Sequence, residues 1–105
     1  MDKETIENNR LIAEFMGLAY CEKYRYKGWY QNSEFNHRIC DYNGLKYHSS
    51  WDWLMPVVQV CKDNQLFGSQ HLIDKIDDVL TCDCKINNLY MEVVHFIEWF
   101  NENRK

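Results

Sequence analysis

Apolar residues recur at helical spacing at the start of the chain. They then alternate every second residue, and return to helical spacing from about residue 50 onward. In the first stretch, Leu11, Ile12, Phe15 and Met16, with Ile6 a turn and a half earlier, predict a helix over residues 3–16. Asp2 stands where an N-cap is wanted, and Glu4 and Glu7 suit the positive end of the helix dipole. Gly17 follows as a stop, because it takes the left-handed conformation without a Cβ clash. Glu7, Arg10 and Glu14 read as a solvated face.

The period then changes. Tyr20, Glu22, Tyr24 and Tyr26 alternate with Cys21, Lys23, Arg25 and Lys27, which predicts a strand with an aromatic and a basic face. Gly28 and then Asn32-Ser33 mark breaks. Phe35 to Tyr42 reads as a second strand, with Phe35, His37 and Ile39 on one side. Asn43-Gly44 is a tight-turn signal, so Leu45 to His48 reads as a short third strand.

Tyr47 to Val58 joins this half to a helical one. Ser49 or Ser50 is an N-cap, and Ser49 with Asp52 resembles a capping box. Leu54, Val57, Val58 and Cys61 form a stripe that faces a core. Pro56 disfavours a regular helix through Met55. The expectation is a kink or a separate first turn over residues 50–54, with Pro56 near the start of the main helix. A polar loop over residues 62–69 precedes a third stripe of Leu72, Ile73, Ile76, Val79 and Leu80. Thr81 to Asp83 reads as a tight connection. A last helix from about Cys84 to Asn101 carries Ile86, Leu89, Tyr90, Val93, Ile97 and Phe100 on one face.

The pattern predicts an α+β fold. It has an N-terminal helix, an antiparallel sheet of two to three strands, and three helices packed on one face of that sheet, all in a single compact domain over residues 1–105. At 105 residues, a chain buries roughly 65% of its unfolded surface, enough for one core without metal or disulfide staples. The formal charge of −4 argues against nucleic acid as a partner. The balance is uneven: residues 21–48 carry five Lys or Arg against three Asp or Glu, and residues 69–105 carry four against seven. Five cysteines, an odd count, and a polar start without a signal-like stretch lead to the expectation of free thiols in a cytoplasmic protein. No run approaches the roughly 18 apolar residues of a membrane span.

Three segments together resemble a known family. They are Asn9-Arg10-Leu11-Ile12-Ala13-Glu14-Phe15-Met16-Gly17, then Tyr47 to Val58, which is the most specific, and Val93-Val94-His95-Phe96-Ile97-Glu98-Trp99-Phe100-Asn101. Together they look like the phage ABA sandwich domain, small proteins of phages and prophage-bearing gut bacteria. The middle departs from the family, with residues 62–82 more helical and the strand region shorter. The resemblance implies the fold and a phage or mobile-element setting. It supplies no catalytic residues.

Candidate chemistry is sparse. Trp51 and Trp53 diverge by about 200° on a helix, so one core cannot take both. They read first as aromatics that anchor the helix, and second as a hot spot for a protein partner. Lys23, Arg25 and Lys27, with Trp29, could share a strand face that binds single-stranded nucleic acid through phosphate contacts and base stacking. A solvated outer sheet face is the simpler account. Cys82-Asp83-Cys84 is too closely spaced for a usual zinc site, and nothing in the sequence brings Cys61, His71 or His95 together to complete one. Asp83 opposes thiolate formation, so buried or half-buried thiols at a helix start are expected.

His48 beside Ser49, Ser50 and Asp52 invites a catalytic reading that adjacency alone does not support. It reads instead as a hydrogen-bonded histidine at the junction. Asp74, Asp77 and Asp78 read as a solvated acidic face. The expected function is a non-enzymatic protein-interaction module, without metal or cofactor. The expected partner is a host or phage protein, or a second copy of the chain. Nucleic-acid binding through Lys23, Arg25 and Lys27 is the alternative.

Overall fold

A computed structural model of the protein describes residues 2–22, 28–31, 38–41, 44–65 and 68–103. Its elements run α1 (Lys3–Phe15), β1 (Ala19–Cys21), β2 (Gly28–Tyr30), β3 (Arg38–Cys40), α2 (Trp51–Asp63), α3 (Gln70–Asp78), a π-helical turn (Val79–Asp83) and α4 (Ile86–Asn103). An N-terminal helix, a three-stranded antiparallel sheet in the order β1-β2-β3 and three further helices make the fold α+β. The chain divides into two compact units, Met1–Leu45 and Lys46–Lys105.

In the first unit, α1 starts and stops where its sequence indicates. The Asp2 carboxylate accepts from the Thr5 N–H at 2.7 Å, satisfying one of the donors a helix start leaves open. At the other end Gly17 has φ +84°. The Leu18 N–H reaches the Ala13 carbonyl at 2.9 Å and the Gly17 N–H reaches Glu14 at 3.0 Å, the paired bonds of a Schellman ending. Ile12 and Ala13 are buried, and so is Asn9, whose Nδ2 donates to the Leu45 carbonyl at 3.3 Å. Arg10 and Glu14 pair on the exposed side at 3.1 Å.

The sheet has three strands, but not the three that alternation suggests. Gly28, expected as a break, lies inside β2 opposite Cys21. A Cβ there would collide with the Cys40 carbonyl oxygen, so the residue that looks like punctuation is what lets β3 approach β2. The expected third strand, Leu45 to His48, does not form. Leu45 and Tyr47 are buried in irregular chain. The Lys46 carbonyl accepts from the N–H groups of Ser49 and Ser50 at 3.1 and 2.9 Å, which turns the chain instead of extending it. Between β2 and β3 the register shifts, with Trp29 opposite Cys40 and Tyr30 opposite Arg38. Ile39 is thus the extra residue of a bulge and stays 41% exposed, not on a covered face. Phe35, His37, Tyr42 and Asn43 lie outside the described residues.

In the second unit, α2, α3 and α4 pack on one another. Leu54, Val57, Val58 and Cys61 from α2 are buried, as are Leu72, Ile73 and Ile76 from α3 and Leu89, Tyr90, Val93, Val94, Phe96 and Ile97 from α4. Each large side chain covered in this way contributes on the order of 1.5–3 kcal/mol. A half-buried pair, Lys62 to Asp77 at 2.9 Å, links α2 to α3. Such a pair adds under about 1 kcal/mol. Val79 and Leu80, assigned by spacing to the third stripe, fall in the π turn and are half-buried. Accordingly α4 begins at Ile86, not Cys84.

Candidate functional site

The site is built at the start of α2. Ser50 has the extended backbone of an N-cap, φ −130° and ψ 121°. Its carbonyl accepts from Trp53 and Leu54 at 3.2 and 3.0 Å. Its hydroxyl makes no cap hydrogen bond among the described residues. The helix therefore starts at Ser50 without the side-chain bond of the expected serine capping box. The helix then runs unbroken through Pro56. Proline has no N–H to give, so the Asp52 carbonyl loses its partner four residues on.

The buried stripe of α2 is flanked by the two tryptophans. Trp53 is half-buried and meets the buried Tyr47 edge-to-face, ring centroids 5.3 Å apart at 81°. Trp51 lies on the other flank, 39% exposed, one helical turn from Met55 at 40%. Asp52, Pro56 and Gln59 are exposed on the same outer side. Trp51, Met55 and Ile39 are the exposed large apolar side chains among the described residues. Two of the three share one turn of α2, and spacing alone could not rank Met55 among the site residues because its neighbours Leu54 and Val57 are core.

His48 is half-buried and its ring stands edge-on to Tyr90, centroids 6.3 Å apart at 71°. Ser49 beside it is exposed. The structure thus gives His48 an aromatic neighbour in the core of its unit.

The other predicted site residues are dispersed. Lys23, Arg25 and Lys27 lie outside the described residues. Trp29, which would supply base stacking beside them, is only 3% exposed. Its ring lies 5.2 Å from that of Tyr20, its partner across β1 and β2. It belongs to the aromatic side of the sheet, because cross-strand partners share a face. Cys21, assigned to the basic outer face, is also buried.

Asp74 and Asp78 are exposed and Asp77 is half-buried in its pair with Lys62. Cys82 and Cys84, expected to be covered at a helix start, are exposed and precede α4. Among the described residues no group of three or more His, Cys, Asp or Glu side chains could hold a metal ion, and no helix is long and apolar enough to cross a membrane. The thiol of Cys61 is pushed up to about 12 by burial in the helical core.

Fold and site together define a small α+β protein with an exposed indole and thioether on one helix face. Compared with family models, curated proteins and solved structures, the chain matches none of them.

Proposed function

We propose that this protein is a small, non-enzymatic interaction module that docks a protein partner through the outer face of α2. The setting is the phage or mobile-element one that the sequence resemblance implies. One observation carries the reading: Trp51 and Met55 stand about two-fifths exposed one turn apart, while the stripe beside them is fully covered. Tryptophan is enriched at the energetic centres of interfaces, and methionine adapts to irregular partner surfaces. A complementary partner offers an apolar cleft for both side chains and a basic group for the exposed Asp52.

A photo-crosslinking residue at Gln59, on the same outer face, tests the proposal in cells. The expected result is a discrete crosslinked protein that disappears when Trp51→Ala and Met55→Ala are added. An identical residue at the exposed Glu98 of α4 should capture nothing comparable. Equal capture from both positions, or capture indifferent to the double substitution, would overturn it. A product of twice the chain mass identifies the partner as a second copy.

A further inference from the structure

The π turn Val79–Asp83 and the residue after it hold features that helix packing does not require. Cys84 has φ 55° and ψ 26°, and is the non-glycine residue with positive φ among those described. A side chain in that conformation crowds the following carbonyl oxygen, and helix ends normally place glycine there. Gly17 does so for α1. A chain selected for folding alone would favour glycine at 84 as well. It carries a cysteine, with another two positions earlier.

The turn itself is wide, the Cys84 N–H reaching the Val79 carbonyl at 2.6 Å, and single π turns recur at functional positions. Both thiols are free and exposed, whereas Cys21 and Cys61 are buried and Cys40 is half-buried.

We infer that Cys82 and Cys84 form a dithiol–disulfide pair whose substrate is a low-molecular-weight disulfide such as oxidised glutathione. The two roles differ. Cys84 Sγ donates to the Leu80 carbonyl oxygen at 3.0 Å, a contact that holds this side chain back along the turn. Cys82 is therefore the attacking group. The carboxylate between them accepts from Asn88 Nδ2 in the first turn of α4.

The Cys82 thiolate attacks one sulfur of the glutathione disulfide. That S–S bond breaks, and the first glutathione leaves as a thiolate and takes up the proton that Cys82 gave to water. Cys84 then loses its proton and attacks Cys82 Sγ in the mixed disulfide. The second S–S bond breaks and the second glutathione leaves, taking up that proton. Two protein thiols have lost two electrons and two protons, and one disulfide has become two thiols.

Residues two apart on a helical turn have Cα atoms ~5.5 Å apart by helix geometry, inside the disulfide range. Their side chains diverge, however, so closure draws Cys84 Sγ off the Leu80 carbonyl and opens the π turn.

The test uses the full chain, fully reduced, then exposed to oxidised glutathione, quenched in acid, alkylated and mapped by mass. The expected product lacks two hydrogens, located in the peptide that holds Cys82 and Cys84. Cys84→Ser should stop at a single glutathione adduct on Cys82. Cys82→Ser should react roughly tenfold more slowly, at Cys84. Both substitutions are at exposed positions, and an unchanged urea midpoint confirms that each variant folds. Separate glutathione adducts on both thiols without a bridge, a bridge to Cys21 or Cys40, or no reaction at either thiol would overturn the inference. Equal rates for the two variants would overturn the assignment of the attacking group.

Discussion

The indole of Trp53 meets the Tyr47 ring edge-to-face at 5.3 Å, and that contact ties the start of α2 to the turn that precedes it. The geometry favours aromatic pairs by about 0.5–1.5 kcal/mol beyond their buried area. Trp53→Ala should therefore lower stability by about 2–3 kcal/mol once lost packing is included. Trp51→Ala should cost less, on the order of 1 kcal/mol, because Trp51 is the more exposed of the two. Urea denaturation of the two variants checks the order. The reverse order would mean that Trp51, not Trp53, holds the helix down.

Pro56 interrupts the hydrogen-bond ladder of a helix that continues on both sides of it. Pro56→Ala restores a donor for the Asp52 carbonyl and removes the ring's crowding of the preceding turn. Stability should rise by about 1 kcal/mol or more. A fall on urea denaturation would show that the proline ring contributes packing that its exposure does not suggest.

Gly28 and Gly17 both have positive φ, yet they should respond differently to alanine. At Gly17 an added Cβ meets nothing within 4 Å, so Gly17→Ala should cost only the conformational strain, about 1 kcal/mol. At Gly28 it strikes the backbone of the neighbouring strand, and Gly28→Ala should cost at least about 1 kcal/mol more. Thermal melts of both variants test the ranking.

Cys61 predicts an alkaline limb of stability. Its pKa rises from 9.0 to about 12 on folding, so between these values the unfolded chain has lost a proton that the folded chain keeps. The stabilisation is complete below pH 9.0 and declines as pH rises toward the folded value, by up to about 1.4 kcal/mol per pH unit. Urea midpoints measured from pH 8 upward should fall more steeply for the native sequence than for Cys61→Ala. Parallel curves would remove the thiol as the cause.

Nucleic acid can be tested directly. With a formal charge of −4 and Trp29 buried, single-stranded oligonucleotides should show no mobility shift even at low salt. A salt-dependent shift abolished by Lys23→Glu, Arg25→Glu and Lys27→Glu together would establish the alternative reading instead.

Much of the helical framework was legible because its signals are local. Asp2 and Gly17 act on the residues beside them, and the stripes of α2 and α4 are periodicities within single elements. The sheet was less legible. Gly28 and Leu45 owe their roles to groups far along the chain: a Cβ at Gly28 would strike Cys40, and the Leu45 carbonyl accepts from Asn9. No local spacing encodes those meetings. The burial of Asn9 is illegible for the same reason, since a polar residue in an apolar stripe reads as surface until its partner is known. The candidate site was half legible. Divergence of about 200° shows that one core cannot take both Trp51 and Trp53, but not which one stays in water.

The sequence by itself determined the α+β class, the order of helix, sheet and helices, and the faces of α2 and α4 that carry apolar side chains. Each follows from spacing and from capping residues acting within a few positions. Only the tertiary structure decided that Trp53 is half-covered beside Tyr47, that Trp51 and Met55 remain exposed, and that Cys82 and Cys84 lie outside the core. The physical reason is that spacing sets the direction of a side chain from its own backbone. Whether that direction ends in water or in another side chain depends on segments that only folding brings alongside.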